Sequence, residues 1–210
     1  MTADDELAQF LAAQRSFTER VHATQAGQWE HATPDAGWTV ADLVGHLVEE
    51  HRWAEALLGG LGLGAAREAV DARYGPGAGG FGSAGPGAQW DEAAAASARA
   101  FSGAGALAGS VEITRGRAPA REYLAEMTLD LVVHSWDLGM AIGYRGPLPA
   151  DVVEAVYAQA ADIVARTPGG MFSGPVAVPA GAPVVDRLVA LTGRNPRQLA
   201  GGSSGPVRGW

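Results

Sequence analysis

The sequence lacks both cysteine and lysine. Without cysteine, the chain has no disulfide, no thiolate nucleophile and no cysteine metal ligand. All fifteen basic residues are arginine, which excludes Schiff-base chemistry by a lysine of this chain. If the protein performs thiol chemistry, the thiol must therefore come from a cofactor.

Basic patches and long apolar runs are also missing. The net charge is -8 and no basic stripe is present, which argues against nonspecific nucleic-acid binding. No uninterrupted apolar run reaches the roughly eighteen residues of a membrane helix. The acidic start, Met1 to Glu6, lacks the positive and then apolar pattern of a signal peptide. We therefore expect a cytoplasmic protein that binds neither nucleic acid nor membrane.

The composition is that of a folded domain. With 210 residues and 47% hydrophobic content, the chain can bury one proper core. Apolar periodicity predicts four main helices and two further ones: roughly Asp4–Ala26, Val40–Leu58, Trp90–Leu107 and Tyr123–Gly143, then Ala150–Ala165 and Val184–Leu191. Four helices with a long middle connection fit an all-α bundle that builds a site between facing helices. Between the third and fourth helices, Val111–Thr114 is either a short strand or an extended loop.

We predict three parts of the chain: the bundle over residues 1–145, a helical extension packed on it over 146–200, and a disordered tail over 201–210. The long connection contains Tyr74–Ala88, a segment rich in glycine. It is interpreted first as a flexible linker, with a lid over the site as the alternative. No Gly-Lys-Ser/Thr follows its glycines, so it is not a phosphate-binding loop of that type.

The helix that ends at Gly143 is apolar almost all round, yet it carries Asp130, His134 and Asp137. Spacings of four and three place these side chains on one face of a helix. An ionised carboxylate is costly to bury unless it is paired or coordinates a metal. The Asp130/His134 pair is spaced to hold two corners of a metal site.

His46 offers a third corner. Thr39 is expected to be the N-cap of its helix, with Asp42 in the acidic position of a capping box, and the apolar pattern places His46 beside the buried stripe. Two histidines and one carboxylate leave coordination positions open, as in catalytic metal sites. The simpler interpretation of His46 alone is a hydrogen-bonded core histidine.

Polar neighbours of these residues have several interpretations. Glu50 lies one helical turn after His46 and is a candidate to support a ligand. Asp137 is a candidate to orient a ligand imidazole or to contact a substrate. Glu49 to Arg52 are expected to form a solvated rim, because His51 is out of register to share a metal with His46.

Three stretches resemble one protein family. They are similar to the DinB-like superfamily, specifically to the mycothiol-dependent maleylpyruvate isomerase metal-binding domain of actinobacterial proteins. The stretches are Trp38–Val48, Asp130–Gly143 and Val178–Pro196. The resemblance runs from about Glu6 to the end of the third stretch. It implies a DinB-like four-helix bundle with a long crossover between helices 2 and 3 and a short C-terminal extension.

The resemblance also implies a ligand set. In the family, one histidine from the second helix joins a carboxylate and a histidine, spaced i and i+4 on a later helix, around a divalent metal. The ligands here would be His46, Asp130 and His134, and the metal would be zinc, with nickel as the alternative. Asp130 stands where the isomerase has glutamate, so its ligand arm is one methylene shorter.

The function that this resemblance implies is a metal-dependent transferase or isomerase that uses a low-molecular-weight thiol, such as mycothiol, on a small electrophilic substrate. A bound zinc ion would lower the pKa of the thiol so that thiolate forms near neutral pH. Asp137 and Glu50 are the candidates to move a proton. Arg121 and Arg145 are the candidates to bind an acidic substrate or cofactor.

Other functions stay open. The full isomerase carries a substantial C-terminal α/β domain, whereas about forty residues follow the Ala150–Ala165 helix here, so maleylpyruvate isomerisation itself is not the expected reaction. The competing class is a noncatalytic metal- or ligand-binding protein on the same scaffold. A third is a relative whose polar triad has become structural. In each case we expect a monomer or a homodimer.

Overall fold

A computed structural model describes residues 1–75, 81, 84–167 and 172–197. The fold is mostly helical, with one two-stranded antiparallel hairpin. The predicted tail, and residues 76–80 and 82–83 of the glycine-rich segment, lie outside the described residues. The elements in chain order are α1 (Ala3–Ala23), α2 (Val40–Leu58), α3 (Leu63–Tyr74), α4 (Gly85–Phe101), β1 (Ser110–Ile113), β2 (Gly116–Pro119), α5 (Ala120–Ile142), α6 (Ala150–Arg166) and α7 (Val184–Leu191).

Helices α1, α2, α4 and α5 form the four-helix bundle. The main contacts join α1 to α5 and α2 to α4, and contacts of α1 with α4 and of α2 with α5 close the bundle. Aromatic rings fill its centre: Phe10 lies 5.0 Å from Phe101, and Phe17 lies 4.6 Å from Trp90 between ring centroids. This confirms the predicted all-α bundle. Helices α6 and α7 pack together and against α5, while the division at residue 145 stays a prediction.

The start of α2 has the predicted capping box. The amide of Asp42 donates to Thr39 Oγ1 at 3.1 Å, and the Thr39 amide donates to Asp42 Oδ2 at 2.9 Å. Gly143 also ends α5 as predicted, with a left-handed φ of 71° that favours glycine. These two local signals fix the registers of the helices that carry the candidate ligands.

Several boundaries differ from the prediction. Helix α3 was missed because its sequence has little amphipathic pattern and buries few apolar residues, namely Ala66 and Val70. Helix α4 starts at Gly85 and ends at Phe101, earlier at both ends than predicted. It can start before Trp90 because proline, here Pro86, is accepted in the first turn of a helix. The chain leaves that helix through Gly105, whose φ is 76°.

The hairpin settles the alternatives at Val111–Thr114. Strand β1 pairs antiparallel with β2, with Val111 opposite Ala118 and both side chains buried. An isolated two-stranded hairpin is marginally stable in water. This hairpin is stabilised because one face is buried against α2 and α5. No helix in the described ranges combines the length and hydrophobicity needed to cross a membrane.

The predicted solvated rim was wrong for His51 and Arg52, which are both buried. The imidazole of His51 lies 4.8 Å from the Trp90 ring, and its Nδ1 is 2.6 Å from Ser97 Oγ. Arg52 donates to Gln89 Oε1 at 2.9 Å. All three partners belong to α4, which covers this face of α2. His46 and His51 differ by about 140° around the helix, so α2 is buried on two faces.

Burial of His51 predicts acid sensitivity. Burial lowers the pKa of His51 to about 3, whereas the unfolded chain has a histidine pKa of about 6.5. Between these values the unfolded state binds a proton that the folded state does not, so stability falls as pH is lowered, by at most about 1.4 kcal/mol per pH unit. His51→Asn, which keeps an acceptor near Nδ1, should make this slope shallower.

The measurement is urea unfolding of chelator-treated protein at pH 8, 6 and 5. At pH 8 the imidazole is neutral in both states, so that point reports the packing cost of the substitution alone. Parallel stability curves for the two proteins across this range would contradict the prediction.

Candidate metal centre

Helices α2 and α5 bring His46, Asp130 and His134 together. His46 Nε2 lies 3.3 Å from Asp130 Oδ2, and His134 Nε2 lies 3.2 Å from Asp130 Oδ1. Each imidazole therefore faces a different oxygen of one carboxylate. Potential ligand atoms of the three residues all lie within 4.8 Å of one another.

These distances fit a divalent metal. Zinc bonds to histidine nitrogen and carboxylate oxygen are about 2.0–2.1 Å long, so two ligand atoms at tetrahedral positions lie about 3.3 Å apart. The two nitrogen–oxygen distances, 3.2 and 3.3 Å, are close to this value, and each ends on a different oxygen of Asp130. The donor set of two imidazoles and one carboxylate also suits zinc or nickel and leaves coordination open for another ligand.

The centre is closed on one side and accessible on the other. The side chain of His134 is 6% exposed, whereas those of His46 and Asp130 are 31% and 25% exposed. Trp38 forms a wall, with its ring parallel to His134 at 5.8 Å and edge-on to His46 at 5.0 Å. A small ligand would therefore approach from the side of His46 and Asp130, beside the indole.

The pKa values of Asp130, His134 and His46 are all shifted toward the charged form. Burial alone would raise the pKa of Asp130, but the two imidazoles hold it well below its usual range. Burial alone would lower the pKa of His134, but Asp130 and Asp137 raise it to about 10. The pKa of His46 is likewise raised: burial would lower it, but the hydrogen bond to Asp130 and the charges of Asp130 and Glu50 together outweigh burial. A metal must displace the proton of His134 to bind.

Asp137 lies on the far side of His134. His134 Nδ1 is 3.0 Å from Asp137 Oδ2, and the Asp137 side chain is fully buried. Burial would raise the pKa of Asp137, but Arg194 and His134 hold it below its usual value. The predicted proximity of Asp137 to the His134 imidazole is therefore observed, and the oxygens of Asp137 are occupied by protein donors.

A second group of acidic and histidine side chains joins Asp35, His134 and Asp137. The Arg194 guanidinium already lies between the two carboxylates, with Nη2 2.6 Å from Asp35 Oδ2 and 2.9 Å from Asp137 Oδ2. This group is therefore an ion-pair network. Sequence analysis missed Asp35 and Arg194, because the only signal was an arginine after a helix-ending glycine.

Glu50 is placed near the centre, one turn of α2 after His46. The Glu50 pKa is raised, first by burial and then by the charge of Asp130, while His46 acts in the opposite direction. Because of burial and the charge of Asp130, the Glu50 carboxyl favours its protonated form more than an exposed glutamate does. The hydroxyl of Tyr123, on α5, is buried and has no hydrogen-bond partner among the described residues.

The two candidate arginines are placed elsewhere. Arg121 lies nine residues before Asp130, about 13 Å along α5, and its Nη2 is 2.6 Å from Glu6 Oε1. Arg145 is exposed beyond the end of α5. The structure brings neither beside the three candidate ligands, and a role in binding an acidic ligand stays a prediction.

Residues 10–139 match the family described as the mycothiol maleylpyruvate isomerase N-terminal domain. This range includes all three candidate ligands and most of the bundle. Because the match covers well over half of the chain, the protein belongs to this family.

Two curated relatives extend the comparison to nearly the whole chain. They are Uncharacterized protein Rv0738 of Mycobacterium tuberculosis strain ATCC 25618 / H37Rv and Uncharacterized protein MT0763 of strain CDC 1551 / Oshkosh. Each is 26% identical over 204 residues, covering 92% of this chain and 100% of the relative.

Two crystal structures share the fold. One is the mycothiol-dependent maleylpyruvate isomerase, with a TM-score of 0.57 and 16% identity, and the other is a histidine-to-alanine mutant of that enzyme, with a TM-score of 0.58 and 15% identity. Each alignment covers 77% of this chain and 70% of the isomerase chain. At this level of identity the likeness shows the DinB-like fold.

The first prediction for the centre concerns its histidines. Purified protein should hold close to one divalent metal ion per chain, and His46→Ala or His134→Ala should lose most of it, because each removes one nitrogen ligand. His22→Ala is the matched control, since His22 pairs with Asp91 at the surface. Elemental analysis after purification without chelating resin or added metal is the measurement. Full metal content in both ligand variants would eliminate this centre.

The second concerns the carboxylate. Asp130→Asn keeps the shape of the side chain but removes its charge, so it should weaken metal binding about 10-fold or more with little loss of helix content. Competition with a chromophoric chelator gives the affinity, and circular dichroism gives the helix content. Asp91→Asn, at the surface, is the control. Unchanged affinity with a lower melting temperature would instead identify Asp130 as a structural residue.

Proposed function

We propose that this protein binds one divalent metal, zinc or alternatively nickel, and acts with a low-molecular-weight thiol such as mycothiol as a transferase or isomerase on a small electrophilic substrate. One observation carries the proposal: two imidazoles and one carboxylate converge at ligand spacing on the accessible side of a buried interface. Membership in the mycothiol maleylpyruvate isomerase N-terminal family supports the choice of thiol.

The bound metal would supply Lewis acidity, which lowers the pKa of a coordinated thiol. The residues around it have separable roles. Trp38 limits the access of water on one side by covering both imidazoles. The thiol must come from solution, because the chain contains no cysteine.

Glu50 is the better candidate to move a proton. Its raised pKa allows it to hold a proton nearer neutral pH than an exposed glutamate does. Asp137, by contrast, is fully buried and accepts from His134 and Arg194. We therefore assign Asp137 to orienting His134 and Glu50 to proton transfer with a small-molecule substrate.

A noncatalytic metal- or ligand-binding protein is the second candidate. The observation that favours it is the ion cluster itself, in which Asp130 is already contacted by two imidazoles and His134 by two carboxylates. A binding protein would need no proton-transfer group at the centre. Dependence of a reaction on added thiol distinguishes the two functions.

A thiol experiment tests the leading function. Conjugation of a small electrophile should require added mycothiol and should vanish on chelation, since no protein thiol exists. X-ray absorption of the zinc form at saturating mycothiol should show a sulfur scatterer at about 2.3 Å, the usual zinc–thiolate distance. His134→Ala, treated in the same way, is the control. Only nitrogen and oxygen scatterers around the metal would contradict the transferase or isomerase function.

A further inference from the structure

Arg194 lies behind the candidate metal centre and is itself almost fully buried. Its Nη2 donates to Asp137 Oδ2 at 2.9 Å and to Asp35 Oδ2 at 2.6 Å, and its Nη1 donates to the carbonyl of Thr192 at 3.0 Å. Its Nε approaches the two Asp137 oxygens at 3.3 and 3.4 Å. A guanidinium in this arrangement is a charge-assisted donor to two carboxylates at once.

The local backbone directs this side chain inward. After α7 the chain turns at Gly193, whose φ is 89°, and the Arg194 amide donates to the carbonyl of Val189 at 2.9 Å. A Cβ on Gly193 would lie 2.4 Å from Cβ of Ser173. The turn therefore requires glycine on both conformational and steric grounds, and it places Arg194 in the bundle.

The charge of Arg194 supports the orientation of His134. The side chain of Asp137 is fully buried, and an ionised carboxylate in that position needs hydrogen-bond donors. With Arg194 holding Asp137 ionised, Asp137 Oδ2 accepts from His134 Nδ1. The other nitrogen of that imidazole, Nε2, is then left to face Asp130 and His46, which is how a carboxylate fixes the tautomer of a metal-ligating histidine.

Asp35 connects the same arginine to the wall of the centre. Asp35 belongs to the connector between α1 and α2, where its carbonyl accepts from the Trp38 amide at 3.1 Å. Trp38 stacks on His134. Arg194 therefore joins three separate parts of the chain around one imidazole: the connector, α5 and the segment after α7.

We propose that Arg194 is a positioning residue of the metal centre and that docking of residues 184–197 is coupled to metal binding. The proposal rests on the metal site of the proposed function. If the docked segment raises metal affinity by holding Asp137 and His134, the bound metal must stabilise the docked segment by the same factor.

The test uses full-length protein and zinc alone. Arg194→Gln removes the charge and should weaken zinc binding 10- to 100-fold, the range found when support for a metal ligand is lost. Arg67→Gln is the matched control: it changes an exposed arginine of α3 that pairs with Asp71 at 3.7 Å, outside residues 184–197, and it should retain the wild-type affinity. Competition with a chromophoric chelator gives each value.

A double variant separates positioning from general damage. If Arg194 acts through Asp137, then Asp137→Asn and Arg194→Gln together should weaken zinc binding no more than the more damaging single change, because the two residues form one unit. Losses that multiply would overturn the proposal. The NMR shifts of the His134 Nδ1–H group in the zinc form report its hydrogen bond to Asp137, and they should match wild type in the Arg67→Gln control and change in Arg194→Gln.

A measurement on wild-type protein needs no variant to fold. Zinc should slow hydrogen exchange of the amides in α7 and at Thr192 to Arg194, as the coupling requires. If wild type binds no zinc, the proposed function fails. If wild type binds zinc while exchange in this segment is unchanged and Arg194→Gln binds equally well, the metal centre stands and the proposed role of Arg194 is overturned.

Discussion

Asp130 and Asp137 lie in the most apolar helix of the bundle, and the cost of removing two carboxylates from water determines what surrounds them. Each carboxylate is held by cationic or polar donors, and both contact the same imidazole. His134 therefore has a carboxylate at each ring nitrogen. His46, Arg194 and Asp35 are arranged outward from this pair, and the indole of Trp38 covers the remaining face.

This arrangement explains why the centre is polar without being loosely packed. A buried polar network is stable when its members are satisfied and costly when one is not. Here α2 and α5 are in contact, and apolar residues within one turn of the two histidines along the chain, such as Leu43, Leu47 and Leu131, are all buried. The apolar contacts hold the helices at a fixed separation, and that separation sets the distances among the ligand atoms.

Local sequence patterns predicted the part of the centre that depends on helix register. Thr39 and Asp42 begin α2, Gly143 ends α5, and the spacing of Asp130 and His134 places them on one face. The three candidate ligands could be named because Asp130 and His134 are ionisable residues in an otherwise apolar helix, and because the apolar periodicity of α2 places His46 beside its buried stripe. The bundle followed from the same periodicity and from the family resemblance.

What sequence analysis missed depends on contacts between distant parts of the chain. His51 was placed in solvent because nothing near it in sequence announces that α4 covers that face of α2. Arg194 is 57 residues from Asp137 and 159 from Asp35 along the chain, so no spacing rule joins them. Helix α3 has few buried residues, and its weak pattern was indistinguishable from a connector.

The turn at Gly193 has a consequence for the order of folding. Contacts between residues far apart in sequence form late, because a long loop must close before they contribute. A chain made from its N-terminus can pack α1, α2, α4 and α5 while Asp137 still lacks its guanidinium partner. The centre takes its final shape only when Arg194 has been synthesised and has turned inward, so under the proposed function the acquisition of metal would be a late step in the maturation of the protein.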